Sequence, residues 1–185
     1  MSEVERNSLL QQPSVLTFIQ HAAGYSALME QESTLEWDYS ALERCQKTLA
    51  YVYAAACDLP ELTVAPFYNL DRLVREEDYE RVRQRMSRVF GEHDYFLNAQ
   101  MEEMKYSDVP VSVSTSELLA DLYQILADTV WAFRTGVEQN MYQAIAEVKY
   151  TFAHEWGSLL LAVLRQIHDL KVSPDFFLDN EYDAL

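Results

Sequence analysis

The sequence predicts an all-α protein: a single-domain bundle of about six helices, with a long, central and kinked C-terminal helix. Its 185 residues lie within the usual size of one domain and are enough to bury a substantial core. Glycine and proline, the residues that interrupt helices, number only four and five. Apolar residues recur at spacings of three and four, which is the helical period, and strand-like alternation is weak.

The first two predicted helices follow a short N-terminal extension, residues 1–13. The first begins at Ser14 and places its apolar residues on one stripe: Val15, Phe18, Ile19, Ala22, Tyr25 and Met29. The second runs from an Asp38 cap to Ala56 and stops before Pro60, which cannot continue a helix. A loop follows it.

The middle of the chain is predicted to be less regular. A third helix begins near Glu76, in an acidic first turn that suits the helix dipole, and ends at Gly91. Residues 93–104 are predicted as a less regular helical piece and residues 107–114 as a loop. Within that loop, residues 111–113 are expected to be briefly extended.

The last two helices give the clearest pattern. The fifth is capped by Ser114–Ser116, closes at Gly136 and carries the stripe Leu119, Leu122, Leu126, Val130 and Phe133. The sixth, from Val137 to Leu170, would be about 50 Å long if unbroken, so we predict a kink near Gly157. The bundle thus spans residues 14–170.

Residues 171–185 form an acidic C-terminal tail that contains Phe176 and Phe177. The tail either docks these two side chains on the bundle or hangs free, and we expect docking. Burial of two large aromatic side chains would favour it.

The chain is strongly acidic, with 30 acidic and 14 basic residues and a formal charge of −16. Such a charge repels phosphate backbones and anionic lipids, so no nucleic-acid or membrane partner is expected. The densest basic cluster, four arginines between positions 81 and 88, lies among acidic residues and is interpreted as a charge-mixed, solvated helix face. A basic protein is the partner that this charge favours.

Two cysteines and the N-terminus bear on the compartment. Cys45 and Cys57 fall on one predicted helix about 18 Å apart, which excludes a bridge between them. Residues 1–12 have no basic region followed by an apolar one, and the longest apolar run, Leu159–Leu164, is far shorter than the ~20 residues of a membrane span. The prediction is a cytoplasmic protein.

No complete catalytic or metal-binding motif is present. A di-iron centre in a bundle requires paired Glu-x-x-His motifs, but the residues three before the histidines are Phe18, Phe90, Thr151 and Arg165. His154-Glu155 lacks the second histidine of the zinc hydrolase signature, and phosphate-binding glycine loops and nucleophile elbows are missing. We therefore predict no catalytic residue, cofactor or metal.

The C-terminal helix has a second, polar face opposite its apolar stripe. Its members are Glu147, Tyr150, His154, Leu161, Arg165 and His168. Because the run Leu159–Leu164 is apolar nearly all round, part of this face is expected to be covered. Buried charges there would have to be paired, a setting that can shift pKa values. The competing interpretation, a solvent face or a structural network, is the one we favour.

Two aspartates of the fifth helix and the many tyrosines each allow a functional and a structural interpretation. Asp121 and Asp128 share one flank of the fifth helix and are interpreted as a solvated acidic edge rather than a cation site. The twelve tyrosines are mostly expected in the core, although exposed tyrosines favour protein interfaces.

The sequence resembles a family of uncharacterised bacterial helical proteins, classified as a domain of unknown function. The matching residues are Glu77-Asp78-Tyr79 and Val82, the turn from Gly91 to Tyr95, residues 119–124, and Glu147, Lys149, Phe152, Trp156-Gly157, Leu164-Arg165 and His168. The resemblance covers most of the chain. It implies the fold class and directs attention to Asp121, Tyr123, Trp156, Arg165 and His168 as a shared site or packing motif.

Two functional hypotheses follow. The leading one is a non-catalytic acidic protein that binds another protein, which its charge suggests is basic, through a surface rich in tyrosine and carboxylates. The alternative is a small-ligand-binding protein or enzyme, with His154 and His168 as acid–base groups and Arg165 as an anion clamp. The sequence leaves open whether the protein also forms a homo-oligomer.

Overall fold

The computed structural model describes residues 3–31, 39–63, 65, 68–98, 111–173 and 176. Within this part, most residues are helical, and the strands form one small hairpin. The elements in chain order are α1 (Glu3–Leu10), α2 (Pro13–Glu30), α3 (Tyr39–Cys57), α4 (Glu76–Phe90), β1 (Tyr95–Asn98), β2 (Val111–Ser114), α5 (Thr115–Arg134), α6 (Glu138–Thr151) and α7 (Gly157–Val172). The predicted helical bundle is confirmed.

The segment predicted as an extension contains the first helix, α1. It packs against α2 and α6, and Arg6 forms an ion pair of 2.8 Å with Glu138. Pro13 then occupies the first turn of α2, where its missing N–H is not needed. The predicted apolar stripe of this helix is buried, from Val15 to Met29, apart from the partly buried Ile19.

The next two helices follow the prediction closely. Helix α3 ends at Cys57, and its predicted Asp38 cap lies outside the described residues. Helix α4 begins with the acidic turn Glu76–Asp78, and two of its arginines pair along the same helix, Arg81 with Asp78 at 2.7 Å and Arg83 with Glu80 at 2.9 Å. The charge-mixed face is therefore confirmed at these two residues. It is wrong at Arg85, which is half-buried and donates to backbone carbonyls at the end of α2.

The segment after α4 differs from the predicted helical piece. A short 3-10 turn, Gly91–Asp94, leads into β1, which pairs antiparallel with β2 in the register Tyr95 to Ser114. The helical piece predicted at residues 93–104 is thus wrong at residues 95–98, and its residues 99–104 lie outside the described ones. The brief extension at residues 111–113 is confirmed. The aromatic residues of β1 favour a strand once a partner is present, because strand stability depends on the neighbouring chain.

Helix α5 packs against α2, α4, α6 and α7 and is buried around most of its circumference. Its predicted cap is confirmed: Ser114 Oγ accepts the N–H of Glu117 at 3.1 Å. A second acceptor strengthens it. The buried carboxylate of Asp94 accepts the N–H of Ser116 at 2.8 Å and its hydroxyl at 2.7 Å, an arrangement that suits the positive end of the helix.

The C-terminal helix spans 35 residues and consists of α6, a π-helical turn at Phe152–Trp156, and α7. The N–H of Gly157 bonds to the carbonyl of Phe152, five residues earlier. A Cβ atom at Gly157 would lie 2.5 Å from that carbonyl oxygen, so a side chain cannot fit. The predicted kink near Gly157 is confirmed, and the π turn causes it.

The tail docks at one of its two phenylalanines. Phe176 is buried against Phe90 and His93, with ring centroids 6.4 Å and 5.3 Å away, while Phe177 lies outside the described residues. Cys45 is buried and Cys57 exposed, and both are free thiols as predicted. None of the described helices combines the length and the apolar character that a membrane crossing requires.

Candidate functional site

A pocket with a largely charged lining lies between the segment 68–74 and helices α5 and α6. Its volume is about 190 Å³. Its polar lining consists of four carboxylates, one guanidinium and two hydroxyls, from Asp71, Asp128, Glu147, Glu155, Arg72, Thr129 and Thr151. We call it the acidic pocket, and its apolar wall is formed by side chains such as Ile125 and Val148.

Asp128 forms the inner wall of the acidic pocket. Its Oδ1 accepts the backbone N–H groups of Leu73 at 2.8 Å and Val74 at 3.0 Å, which ties the segment to α5. Its side chain is only 4% exposed, so the predicted solvated acidic edge is wrong at this residue. Burial raises the pKa of Asp128, while the two N–H groups and Arg72 oppose the shift.

Glu147 faces Asp128 across the pocket from α6. Its Oε1 accepts a hydrogen bond of 2.8 Å from Nε2 of Gln143. The buried Gln143 in turn accepts, through its Oε1, a hydrogen bond of 3.0 Å from the N–H of Ala65. Arg72 bridges the two carboxylates, 3.7 Å from Asp128 Oδ2 and 3.6 Å from Glu147 Oε2. In each carboxylate one oxygen is therefore held by the fold and the other faces a cation.

An exposed aromatic pair borders the acidic pocket. The rings of Tyr150 and His154 lie 4.7 Å apart, and each is the chain neighbour of a pocket residue, Thr151 and Glu155. Tyr150 is 57% exposed. The pair brings an apolar contact surface beside the carboxylates.

The other predicted candidates lie elsewhere. Asp121 accepts the hydroxyl of Tyr79 at 2.9 Å, and the Tyr123 hydroxyl donates to Glu30 at 3.2 Å. Burial raises the pKa of Asp121, and burial followed by the nearby Glu30 raises that of Tyr123 to about 12. These contacts join α5 to α4 and α2.

Trp156 is a packing residue. It is fully buried, its Nε1 donates to the carbonyl of Val148 at 3.0 Å, and its ring lies 4.7 Å from that of Phe152 and 6.4 Å from that of Phe18. It fixes the π turn against α2.

The polar face of the C-terminal helix is mostly a solvent face, which is the interpretation that the sequence favoured over a covered one. His154, Arg165 and His168 are exposed, and Glu147 is half-buried. Arg165 lies 3.7 Å from Asp169 and lines a separate groove of about 140 Å³ beside β1. Glu147 and Arg165 therefore belong to different surfaces.

Sequence reasoning missed Arg72, Asp71 and Glu155. Glu155 carries a readable signal, because it follows Glu147 by two helical turns. Arg72 and Asp71 lie in a segment without periodicity, where spacing says nothing about neighbours. Among the described residues, no group of three or more potential ligands is arranged to hold a metal ion.

The fold and pocket together define a mostly helical protein with an acidic recess. Residues 11–173 match the family described as Domain of unknown function (DUF5063), and the chain belongs to this family. The predicted resemblance is confirmed.

A structure similar to this chain has been solved for another protein. It is the crystal structure of a Bacteroides fragilis protein determined by the Northeast Structural Genomics Consortium, with a TM-score of 0.77 and 26% sequence identity. The match covers 90% of this chain and 97% of that one. Comparison with curated proteins gives no match. The comparisons thus establish family and fold and lend no activity.

Proposed function

We propose that the protein is a non-catalytic binding protein that recognises a basic partner protein through the acidic pocket and the adjoining pair of Tyr150 and His154. The observation that carries the proposal is the pocket's composition, four carboxylates against one guanidinium. The chain's formal charge of −16 supports it, because a long-range negative field accelerates encounter with a basic surface.

The size of the pocket favours a side chain over a small molecule. Its volume of about 190 Å³ is below the roughly 300–1,000 Å³ of typical ligand sites. A lysine or arginine side chain is of suitable size, and the exposed Tyr150 offers the apolar contact that such interfaces use. The alternative, a ligand site or enzyme built on His154, Arg165 and His168, gains no support, since all three are exposed and Arg165 lines another groove.

A photocrosslinking experiment tests this proposal. A benzoylphenylalanine is placed at Tyr150 in the full chain, and a matched control carries it at Tyr51. Tyr51 is also 57% exposed, and its ring also contacts that of a histidine, His21. We expect a basic protein to crosslink from position 150 and not from position 51 in the cells that naturally make the protein.

The charge of the pocket provides the decisive control. Glu147→Gln and Glu155→Gln should abolish the crosslink, and the purified partner should bind the unmodified protein with an affinity that falls as salt rises. Identical crosslinks from both positions, or a crosslink that survives both substitutions, would contradict the proposal.

A further inference from the structure

Arg72 occupies the acidic pocket loosely. Its side chain is 59% exposed and extends from a segment without regular secondary structure. Its Nη1 lies 3.7 Å from Asp128 Oδ2 and its Nη2 lies 3.6 Å from Glu147 Oε2. A strong charge-assisted hydrogen bond measures about 2.7–2.9 Å, and both distances are longer than that by roughly 0.7–1 Å. The guanidinium is close enough to be attracted and too far to be held firmly.

The two carboxylates, by contrast, are firmly held. Two backbone N–H groups fix Asp128, and Gln143, itself fully buried, fixes Glu147. The free oxygens, Oδ2 and Oε2, thus keep their positions whether or not Arg72 is between them. A receptor whose groups are already ordered binds at a lower entropic cost.

We propose that an arginine of the partner takes the place between Asp128 and Glu147 that Arg72 holds in the free protein. The proposal rests on the proposed function and deepens it by naming the recognised group and an internal competitor. Two different nitrogens of Arg72 face two different carboxylates. A planar guanidinium spans such a pair, whereas the compact ammonium of lysine does not.

The exchange is favourable for electrostatic reasons. One guanidinium replaces another, so the charge in the pocket is unchanged and Asp128 is not left as a buried charge without a cation. Arg72 leaves for water, in which most of its side chain already lies, and an exposed ion pair of this kind stabilises little. The incoming arginine is covered by its own protein, which lowers the local dielectric and strengthens its attraction to both carboxylates.

The probe for this proposal is the peptide acetyl-Gly-Arg-Gly-amide, titrated into the full chain and followed by NMR, with the lysine version alongside. Arg72→Gln removes the internal competitor. Arg88→Gln removes the same charge from an exposed position near the far end of α4 and is the matched control. Thermal unfolding checks that both variants fold.

We expect Arg72→Gln to bind the arginine peptide about two- to sixfold more tightly than Arg88→Gln, the range for an internal competitor that is held only as weakly as an exposed ion pair. The lysine peptide should bind more weakly to every form. In the unmodified protein, the Nε–Hε signal of Arg72 should move toward that of a solvated arginine at saturation.

Equal affinities of the two variants, or no binding by either, would overturn the exchange. The proposed function fails separately: a purified partner whose binding does not depend on Glu147 would refute it whatever the peptide does. If the partner needs Glu147 but the two variants bind the peptide alike, the exchange is refuted and the proposed function stands.

Discussion

Asp121 and Asp128 are carboxylates on a helix that is enclosed on most sides, and burial raises the pKa of both. Two backbone N–H groups and Arg72 partly offset the cost at Asp128. At Asp121 the offset is smaller in number of groups: the hydrogen bond from the Tyr79 hydroxyl is what lowers its pKa. The ionised form of Asp121 therefore opposes folding more than it supports it.

This predicts a pH-dependent gain of stability for Asp121→Asn. A carboxyl with a raised folded pKa contributes stability that is complete below its unfolded pKa, near the ordinary 3.8, and is lost as pH rises through the folded pKa. Asparagine still accepts the Tyr79 hydrogen bond but does not ionise. Urea unfolding should show the variant equal to the unmodified protein near pH 3.5 and more stable at pH 7, by up to about 1 kcal/mol after allowance for solvation.

Two variants control this prediction. Asp121→Ala removes the acceptor of Tyr79 together with the ionisable group, so it should be less stable than Asp121→Asn by about 1–2 kcal/mol at every pH. Glu117→Gln neutralises an exposed carboxylate one turn earlier and should leave the pH dependence unchanged. If Asp121→Asn is less stable than the unmodified protein at pH 7, burial does not govern this residue.

At the residue scale, the sequence could predict position along a helix but not the surroundings. The position of Glu147 on a polar face was predicted, since it follows from helical spacing. The burial of Asp128 was not, because a helical wheel gives its angle but does not reveal that the segment 68–74 lies over it. The same segment supplies Asp71 and Arg72, so this side of the candidate site was unpredictable from spacing.

Gly157 shows how one residue determines the form of an element. The π-helical turn at Phe152–Trp156 contains one residue more than an α-helical turn. This extra residue brings Trp156 into the core and lets the C-terminal helix bend. The π-helical hydrogen bond from the N–H of Gly157 holds the carbonyl oxygen of Phe152 in place. That oxygen is 2.5 Å from the position that a Cβ of residue 157 would take. That carbonyl is backbone, so it cannot rotate aside as a side chain would.

Gly157→Ala should therefore destabilise the protein by about 2–4 kcal/mol, a loss typical of steric strain in a packed core. Gly24→Ala is the matched control. It lies inside helix α2 with nothing within 4 Å of the added Cβ, and it should stabilise by up to about 1 kcal/mol through helix propensity. Urea unfolding of both variants measures the difference, and equal free energies of unfolding would exclude the strain.

At the element scale, the sequence predicted the elements whose apolar residues repeat with a clear period. Helices α2, α3, α4 and α5 bury the stripes that the sequence predicts, because each repeats its pattern over at least four turns, roughly. Strands β1 and β2 have four residues each, too few to show a period, and each is stabilised by the other. The hairpin therefore depends on a pairing between distant residues that local spacing does not encode.

At the scale of the whole molecule, the formal charge of −16 has two opposing effects. It attracts the basic partner that we propose, and it makes the folded chain repel itself. The ion pairs of the described residues, such as Lys47 with Glu43 and Arg165 with Asp169, are mostly exposed and local. Pairs of this kind contribute about 0–1 kcal/mol each, so they do not cancel the repulsion among the remaining carboxylates.

Salt should therefore stabilise this protein. Raising NaCl from about 0.05 M to about 0.5 M shortens the screening length from roughly 14 Å to roughly 4 Å, and at pH 7 we expect the free energy of unfolding to rise by about 1 kcal/mol. Urea is the suitable denaturant, since guanidinium chloride is itself a salt.

The control is the same pair of salt concentrations near pH 4.5, the isoelectric point of the sequence, where the net charge and its repulsion vanish. The salt effect should shrink there. An equal gain at both pH values would point to general exclusion of salt from the protein surface instead of screening. A loss of stability with salt at pH 7 would mean that attractive pairs outweigh the net charge. Repulsion that salt relieves is also repulsion that a basic partner relieves, so a salt-stabilised free protein is one that gains stability from binding such a partner.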